Sequence, residues 1–375
     1  MKKSINRLII ADSEKCADLL WATRFFVPDP VFYLEIAGKK ILIVSDLEIS
    51  RAKKEARVHQ VLSLNQYLNK LRRPGKKPPT SLDVLDTVLR ERRVKKLVVP
   101  SYLGIREANF LKKRGYHLEI QDPFYPERAI KTQEEKKLIT ASLRATEAGI
   151  SEGIKVLRAS RIKQDKIYYQ GKPLTSETLK GVINCKMMSL GFVGHKTIVA
   201  GGKQGADPHC TGYGPLPAHQ PIVIDVFPRS EASGYHGDIT RTVLKGKASP
   251  LQKKMYLAVK TAQEKGIRMI RHGIDAAKVH GEVAATLESF GFKTENRNGK
   301  PEGYIHSTGH GLGLDIHEFP RVSRLSEILK QGHVVTVEPG LYYEKLGGIR
   351  IEDVVFVTRK GCEVLTKIPK IFVIL

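Results

Sequence analysis

A short histidine-rich stretch contains the residues whose types and spacing best suit chemistry. Residues 304–320 have the sequence YIHSTGHGLGLDIHEFP, which places His306, His310 and His317 within twelve positions. Imidazole is the commonest side-chain metal ligand and titrates nearest to neutral pH. The interleaved glycines allow the backbone to approach a ligand closely, although GHGLG lacks the G-x-G-x-x-G spacing of a dinucleotide-binding loop. The stretch therefore predicts a metal-binding or catalytic segment.

Four acidic residues lie in or beside segments that otherwise resemble buried β-strands. Asp225 and Asp238 precede the histidines, in PIVIDVFPRSEASGYHGDITRTV, whereas Glu338 and Glu352 follow them, in VVTVEPGLYY and GGIRIEDVVFV. Carboxylates rarely lie in buried strands unless they are paired or bind a metal. Together with one histidine they form an oxygen-rich ligand set, which suits Mn, Fe, Co or Zn and argues against a thiolate site.

The charge of this acidic set indicates two metal ions. Four carboxylates crowded together would repel one another, and some would become protonated. Two divalent ions neutralise all four charges, so we expect two divalent metal ions per chain, with Mn as the first candidate and Co, Zn and Fe as alternatives. Two adjacent ions can share a water, lower its pKa and stabilise an oxyanion. The ligand set therefore predicts hydrolysis of an amide or ester bond without a covalent nucleophile.

Each of these residues also has a structural interpretation when it is taken alone. Asp238 could be a turn residue or the ion-pair partner of Arg241. Glu352 could pair with Arg350, and Asp353 could then be the acid of the site. The metal interpretation rests on the five ligand candidates occurring together.

The charge distribution predicts a strongly basic surface. The chain of 375 residues is long enough for two domains. Its net charge is +24, and residues 51–100 alone contain 14 basic and 4 acidic side chains. Such a surface attracts polyanions non-specifically. No nucleic-acid-binding motif accompanies it, so we expect a solvated basic face and no specific nucleic-acid partner.

Cysteine usage and hydropathy favour a cytoplasmic location. The four cysteines are widely spaced and form no CxxC, which fits a reducing cytosol better than a disulfide framework or a structural zinc site. The start of the chain, MKKSINRLIIADSEK, has an apolar run of only four residues, and no run of 18 apolar residues occurs. We therefore expect neither a signal peptide nor a membrane segment.

The predicted elements indicate two domains that meet at QDPFYPER (121–128). Residues 1–128 alternate helical and strand-like patterns, with two strands joined by a turn at Gly38, a helical basic segment up to Lys70, and a helix in SLDVLDTVLRERR. This is typical of an α/β domain without clustered catalytic residues. We expect it to serve as a scaffold, in oligomerisation or in substrate gating.

Residues 129–375 form the predicted second domain, of the α+β class. Helix starts are predicted at the capping box of Thr132 and Glu135, at about Ser176, at Ser249-Pro250, and at Asp275. The strand-like segments that carry the acidic residues lie between and after these helices. We therefore expect the site to lie on a sheet of this domain.

Five motifs resemble, in order, those of the metallopeptidases with the pita-bread fold: VIDVFP, GDITRT, HSTGHGLGLDIHE, VEPG and GIRIED. This family includes methionine aminopeptidase, prolidase (Xaa-Pro dipeptidase) and Xaa-Pro aminopeptidase P, with creatinase as a non-metal relative. The resemblance implies a creatinase-like N-terminal α/β domain at 1–128 and an α+β pita-bread catalytic domain at 129–375. It also implies a homodimer. The prolidase and aminopeptidase P branch is the most similar, since it has such an N-terminal domain.

The resemblance assigns metal-binding roles to five residues. Asp225 would chelate one metal, and His310 and Glu338 would bind the second. Asp238 and Glu352 would bridge the two ions. Glu338 would also be the general base or proton shuttle. The implied reaction is hydrolysis of the Xaa-Pro bond at the N-terminus of a small peptide, by attack of a metal-bridged hydroxide.

Four further residues match substrate-contacting positions of the family. His209, in ADPHCTG, would contact the substrate or leaving group, and His317 would donate a hydrogen bond to the scissile carbonyl, so both would be catalytic. His306 and Arg350 would bind the substrate. One departure is the thirteen-position spacing from Asp225 to the second aspartate, two more than usual, which predicts an enlarged hairpin.

Other functions of the same fold remain as alternatives. A hydrolase with another substrate, such as a methionine aminopeptidase or a creatinase-like enzyme, is one. A non-catalytic member that binds nucleic acid or protein is another, but such members typically lose metal ligands. Within the Xaa-Pro branch, both the dipeptidase and the aminopeptidase fit the motifs.

Overall fold

The structure, a computed structural model, describes residues 5–297 and 299–375 of the chain. It divides into two compact units, Met1–Arg128 and Ala129–Leu375. The first four residues, MKKS, which begin the segment weighed above as a signal peptide, lie outside the described residues. In the described part, no helix has both the length and the apolar character needed to cross a membrane.

The first unit is built on one mixed sheet with helices on both faces. Its strands are β1 (Arg7–Ala11), β2 (Val31–Ile36), β3 (Lys39–Val44), β4 (Gln60–Ser63), β5 (Lys96–Pro100) and β6 (His117–Gln121). Its helices are α1 (Ala17–Thr23), α2 (Ile49–Glu55), α3 (Leu64–Leu71), α4 (Ser81–Glu91) and α5 (Ile105–Lys113). The strand order is β4-β3-β2-β1-β5-β6. Leu8 and Leu34 pack with α4 and Ile9 and Tyr33 with α1, because alternate residues of a strand face opposite sides.

One prediction for this unit is wrong. The basic segment up to Lys70 is not one helix, because β4 separates α2 from α3. Residues 60–63 pair in parallel with β3, and Ser63 then caps α3 by accepting the Gln66 N–H at 3.0 Å. Pairing with an available strand outweighs the modest helix propensity of this segment. The turn at Gly38 and the helix in SLDVLDTVLRERR are as predicted.

The second unit contains the four predicted helices, and three of them have the predicted caps. They are α6 (Gln133–Ala159), α7 (Ser176–Met188), α8 (Pro250–Met269) and α9 (Ala276–Ser289). Thr132 and Glu135 form the capping box of α6. Thr175, Ser249 and Asp275 each accept a backbone N–H at the start of α7, α8 and α9.

The strands of the second unit form several sheets, two of which hold the candidate site. The strands are β7 (Arg161–Lys163), β8 (Lys166–Tyr169), β9 (Lys172–Pro173), β10 (Phe192–Gly194), β11 (Ile198–Gly201), β12 (Pro221–Val226), β13 (Pro228–Ser230), β14 (Ile239–Lys245), β15 (Glu295–Arg297), β16 (Lys300–Glu302), β17 (Gly309–Gly311), β18 (Glu318–Val322), β19 (Val334–Val337), β20 (Gly340–Tyr343), β21 (Gly347–Arg350), β22 (Asp353–Val357), β23 (Cys362–Val364) and β24 (Val373–Ile374). The first site sheet has the order β11-β12-β14-β24, and the second β18-β17-β19-β22-β23. The remaining strands form small sheets, β7-β8-β9, β10-β13, β15-β16 and β20-β21.

The second site sheet has one apolar face and one site face. Val335 and Val337 of β19 pack with Val279 of α9 in a hydrophobic cluster. Thr336 and Glu338, at the alternate positions, point the other way, and Thr336 Oγ1 donates to Glu338 Oε1 at 3.2 Å. The period of two along a strand therefore buries the valines under the helices and turns the polar residues toward the site.

Candidate metal centre

The two site sheets bring the five predicted metal ligands together. Asp225 lies in β12, and Asp238 immediately precedes β14, its antiparallel neighbour. In the other sheet His310 lies in β17, Glu338 follows β19 and Glu352 precedes β22. Each ligand thus comes from a strand or from the residue next to one, where backbone hydrogen bonds fix its direction.

Thr240 joins the two sheets at this point. Its carbonyl accepts the Glu352 N–H at 3.1 Å, and its hydroxyl donates to Glu352 Oε2 at 2.8 Å. This residue was not among those predicted from the sequence. The available signal was its position two residues after Asp238 in GDITRT, because side chains two apart in a strand face the same side.

A glycine allows His310 to lie close to the neighbouring strand. A Cβ added to Gly309 would lie 2.0 Å from the carbonyl oxygen of Thr336, so a side chain cannot be accommodated there. The His310 N–H donates to Thr336 Oγ1 at 3.0 Å. The first glycine of GHGLG therefore serves close packing of two strands, and the histidine between the glycines is held from both sides.

Three of the five residues already have the spacing of a metal site. One ligand atom each from Asp238, His310 and Glu352 lies within 4.8 Å of the other two. His310 Nε2 is 3.2 Å from Glu338 Oε1 and 3.6 Å from Asp238 Oδ2. Asp225, Asp238, His310 and Glu352 are all less than a tenth exposed.

Two buried carboxylate oxygens test whether these residues fit a cation. Asp225 Oδ1 and Glu352 Oε1 are buried and accept no hydrogen bond within the described residues. A buried charged acceptor without a partner is strongly unfavourable unless a cation compensates it. Oxygen-rich sets with one imidazole are typical ligands of divalent transition metals. The residues present therefore fit a divalent metal ion.

The pKa shifts show an excess of negative charge. Burial, followed by the charges of neighbouring carboxylates, raises the pKa of Asp238 and Glu352 well above the usual range. Burial alone would raise the pKa of Glu338 as well, but the contact with His310 outweighs it and lowers this pKa to about 2. Burial alone would lower the pKa of His310, and the same contact raises it. One imidazole and one guanidinium are too little positive charge for four acids.

A cavity of about 500 Å³ opens on this cluster. All nine residues singled out for the site line it: Asp225, Asp238, His310, Glu338, Glu352, His209, His306, His317 and Arg350. The wall also includes residues that sequence analysis did not single out: Ile198, Pro208, Phe227, Ile305, Ile316 and Arg321. Most of them lie inside or beside the predicted motifs, but their side chains, apolar except for that of Arg321, carry no catalytic signal of their own. Only the fold could identify them as residues that line the cavity.

The three additional histidines surround the metal cluster. The His317 ring packs edge-to-face against His310, with ring centroids 4.3 Å apart. His306 Nε2 and the Tyr342 hydroxyl are 2.9 Å apart, and His209 is exposed at the cavity. Burial lowers the pKa of both His306 and His317, which favours neutral imidazoles that can donate or accept a hydrogen bond.

Arg350 is buried behind the first aspartate. Its Nη2 donates to Asp225 Oδ2 at 2.5 Å, its Nη1 to the Tyr342 hydroxyl at 2.7 Å and its Nε to Thr240 Oγ1 at 3.2 Å. The alternative in which Arg350 pairs with Glu352 is therefore wrong. Tyr342 was also missed, and the only sequence signal was its place in VEPGLYY after the predicted ligand Glu338.

The other structural alternatives are wrong as well. Arg241 does not pair with Asp238, because its Nη2 donates to Asp353 Oδ1 at 2.7 Å. Asp353 Oδ2 lies 2.7 Å from Lys370 Nζ. Asp353 is thus the structural acid and Glu352 belongs to the site. The two residues are adjacent in a strand-like segment, so they face opposite sides.

The long connection between Asp225 and Asp238 forms the hairpin predicted from its two additional residues. Arg229 and His236 form an antiparallel bridge, and the Ser230 N–H donates to the Tyr235 carbonyl at 3.0 Å. The insertion therefore forms a paired hairpin between the two aspartates, with Asp225 inside β12 and Asp238 directly before β14.

Several known proteins are similar to this chain in sequence. The model of metallopeptidase family M24 matches residues 137–359. The chain is 31% identical over 251 residues to an Xaa-Pro dipeptidase of Pyrococcus furiosus, covering 66% of each chain. It is 30% identical over 279 residues to an Xaa-Pro dipeptidase of Pyrococcus horikoshii, covering 73% of this chain and 74% of the relative. The alignments thus span about two thirds to three quarters of these relatives.

Solved structures show the same fold. The X-Pro aminopeptidase from Thermotoga maritima superimposes with a TM-score of 0.82 at 24% identity, covering 98% of this chain and 97% of that chain. The prolidase from P. horikoshii gives a TM-score of 0.79 at 26% identity, covering 98% and 94%. The predicted fold, an α/β N-terminal domain ahead of an α+β pita-bread domain, is confirmed. The chain belongs to metallopeptidase family M24.

Proposed function

We propose that this protein is a metal-dependent exopeptidase that hydrolyses the Xaa-Pro bond at the N-terminus of small peptides. The observation that carries the proposal is the buried cluster of Asp238, His310 and Glu352, with unpartnered carboxylate oxygens beside it, at the base of a cavity large enough for a small peptide. Relatives named Xaa-Pro dipeptidase belong to the same family.

Five residues would hold the metal: Asp225, Asp238, His310, Glu338 and Glu352. We propose two divalent ions, because four carboxylates need about four positive charges, and Mn is our first candidate, with Co, Zn and Fe as alternatives. A bound divalent ion would supply Lewis acidity, which lowers the pKa of water and polarises a carbonyl. The chain itself orients the carboxylates, since Thr240 and Arg350 bond Glu352 and Asp225.

Glu338 is our candidate for the proton-transfer group. Its pKa is lowered to about 2 by the His310 contact, which outweighs burial, so it is a carboxylate at neutral pH. Thr336 donates to its Oε1 at 3.2 Å and fixes its direction. A general base must lie within hydrogen-bond reach of the proton that it takes, and Glu338 lines the cavity beside the metal cluster.

The histidines and Arg350 would bind the peptide. His317 and His209 line the cavity on the side open to solvent, where an imidazole can donate to the scissile carbonyl or contact the leaving group. His306 is held by Tyr342 and remains a candidate substrate contact. Arg350 also lines the cavity, but its bond to Asp225 suits it equally to orienting that ligand.

Substrate length is a further part of the proposal. Arg321 is an exposed guanidinium in the cavity wall, in contrast to the buried, paired Arg350. A free carboxylate follows the proline directly only in a dipeptide, so a cation in the wall favours dipeptides. Arg321→Met should then reduce kcat/KM for Ala-Pro more than for Ala-Pro-Ala, whereas an equal effect on both would favour an aminopeptidase.

We also propose that the protein is a cytoplasmic homodimer. The dimer follows from the resemblance to the prolidase branch, and the compartment from the four cysteines, which are all free and so fit a reducing environment. Light scattering of the purified protein would test the dimer, and fractionation of the producing cells the compartment.

A panel of four substrates tests the proposed function. Ala-Pro, Ala-Pro-Ala, Met-Ala-Ala and creatine would be incubated with the protein in Mn²⁺ and again with a chelator. We expect cleavage of the proline peptides only with metal. Cleavage of Met-Ala-Ala or creatine instead would identify another hydrolase of this fold. Two bound metals without cleavage of any substrate would contradict the proposed substrate and leave the metal site intact.

A further inference from the structure

A second buried charge pair lies directly behind the histidine stretch, and the proposed chemistry does not use it. Lys131 Nζ is 2.5 Å from Glu318 Oε2, and only 3% and 7% of these side chains are exposed. Lys131 precedes the first turn of α6, and Glu318 begins β18. Replacing a buried ion pair by apolar residues is often neutral or stabilising, so stability alone is a weak account of this pair.

Glu318 organises the turn that leads to His317. Its Oε1 accepts the N–H groups of Leu314 and Asp315 at 3.0 and 3.1 Å. A Cβ added to Gly313 would lie 2.5 Å from Glu318 Oε2, so only glycine leaves space for the carboxylate. The GLGLD segment thus wraps around one buried carboxylate, which Lys131 neutralises.

The direction of this carboxylate sets the direction of the neighbouring imidazole. His317 ends the bend that leads into β18, and Glu318 is the first residue of that strand. His317 lines the cavity and packs against the His310 ring, while Glu318 points into the protein toward Lys131. A rotation that released Glu318 would therefore also move His317.

The hairpin between the first two ligands supports the same turn. The His236 N–H donates to the Gly313 carbonyl at 2.8 Å. The hairpin is itself held by α6, because the Tyr235 hydroxyl donates to Glu135 Oε1 at 2.7 Å and the Ser142 hydroxyl donates to the Tyr235 carbonyl at 3.0 Å. The start of α6 thus fixes the turn of residues 312–318 directly through Lys131 and indirectly through the hairpin.

We propose that Lys131 and Glu318 are positioning residues that hold His317 in place beside the metal centre. The inference rests on the proposed function, since His317 is taken to act on the peptide. Neither residue of the pair touches the cavity, so their effect on catalysis passes through the turn. Misplacement of a catalytic group by about 1 Å can reduce a rate by about a hundredfold.

The test is a cycle of variants assayed on Ala-Pro with Mn²⁺. Lys131→Met and Glu318→Gln should each reduce kcat by at least about tenfold, with native circular dichroism retained. Lys131→Arg should restore most of the rate, since it keeps the charge. In a His317→Ala background, Lys131→Met should cause no further loss. Lys136→Met is the matched control: Lys136 lies in α6, and its replacement removes an ion pair with the exposed Glu363 of β23. We expect kcat to change by less than about twofold.

A readout without catalysis completes the test. Hydrogen exchange of the amides of residues 312–318, in the metal-free protein, should be faster in Lys131→Met than in wild type and unchanged in Lys136→Met. Normal kcat and exchange in Lys131→Met would overturn the proposal, as would equal fractional losses from Lys131→Met with and without His317. If wild type cleaves no Xaa-Pro peptide, the proposed function fails, and the exchange experiment still decides whether the pair fixes the turn.

Discussion

Glu352 and Asp353 are neighbours in the chain, yet they belong to opposite kinds of buried acidic cluster. Asp353 accepts four hydrogen bonds, from Arg241, Thr366, Gln263 and Lys370. Burial would raise its pKa, but the two cations outweigh burial and lower it. Glu352 accepts one bond, from Thr240, and its other oxygen has no partner in the described part of the chain.

The difference shows how a buried acid can be assigned to structure or to function. Around Asp353 the charges are balanced and both carboxylate oxygens accept hydrogen bonds, so no additional cation is needed to compensate the buried charge. Around Glu352 several acids share one imidazole and one guanidinium, and the pKa values of Glu352 and Asp238 are raised by burial and by mutual repulsion. An unbalanced buried cluster beside a cavity indicates that a cation completes it.

The largest expected effect is the loss of activity when the unbalanced cluster is altered. Glu352→Gln keeps the size of the side chain but removes the charge of a proposed metal ligand. Because a metal ion contributes several kcal/mol to the stabilisation of a transition state, we expect kcat/KM for an Xaa-Pro peptide to fall by at least about a thousandfold. The measurement is the assay of Ala-Pro hydrolysis, with metal content determined in parallel.

The control for this variant is chelation of the wild-type enzyme. Removing the metal should abolish activity to the same extent, and adding metal back should restore wild type but not Glu352→Gln. Full activity of the variant at a wild-type metal content would contradict the assignment of Glu352 as a ligand.

A change in the balanced cluster around Asp353 should reduce the stability of the protein and leave its metal binding unchanged. Asp353→Asn leaves the buried Arg241 and the partly buried Lys370 without their carboxylate. Breaking one side of a buried ion pair destabilises a protein by about 3–5 kcal/mol. We expect this loss in the free energy of unfolding, measured with urea, while the metal content of the folded protein stays at the wild-type level. A variant of normal stability that no longer binds metal would reverse the roles of the two acids.

The same contrast explains how much the sequence could reveal. The five proposed ligands could be selected from the sequence because acids within strand-like segments, and histidines among glycines, are unusual residue patterns. The choice between Glu352 and Asp353 could not be made from adjacency alone. It depends on Arg241, Gln263 and Lys370, which the fold brings from other segments.

The neutral residues of the site could not be predicted from the sequence, for a related reason. Thr240 and Tyr342 act through hydrogen bonds that form only when two sheets meet, and the hydrophobic wall of the cavity has no pattern of its own. In the first domain, β4 was missed because strand pairing with β3 is a tertiary effect that outweighs local propensity. Capping boxes were predictable because both partners lie within four residues.

A smaller effect is the stabilisation of the folded protein by metal. A ligand that binds only the folded state stabilises it by about 2.7 kcal/mol at a concentration of one hundred times its Kd. We expect Mn²⁺ to raise the melting temperature of wild type and of Asp353→Asn, measured by calorimetry, because both keep the ligand set. It should raise that of Glu352→Gln much less, and an equal rise in all three would place the binding elsewhere.

The smallest and most discriminating effect is the pH dependence of stability in the metal-free protein. Asp353 has a lowered pKa when folded, so its contribution is present above the unfolded pKa of about 3.9 and is lost as the pH falls through the folded value. Glu352 and Asp238 have raised pKa values when folded. Stability due to them therefore falls as the pH rises above about 4, because the unfolded chain loses these protons first.

The free energy of unfolding of each variant and of wild type would be measured with urea, in chelator, between pH 3 and pH 8. The difference between variant and wild type, followed against pH, gives one slope for each of the two acids. Glu352→Gln should gain stability relative to wild type as the pH rises, since it removes one acid that resists ionisation. Asp353→Asn should lose least relative to wild type at the lowest pH, where the carboxylate it replaces is being protonated. If both differences had the same sign of slope, the two acids would share one electrostatic environment. The division of this segment into a structural and a metal-binding acid would then be wrong.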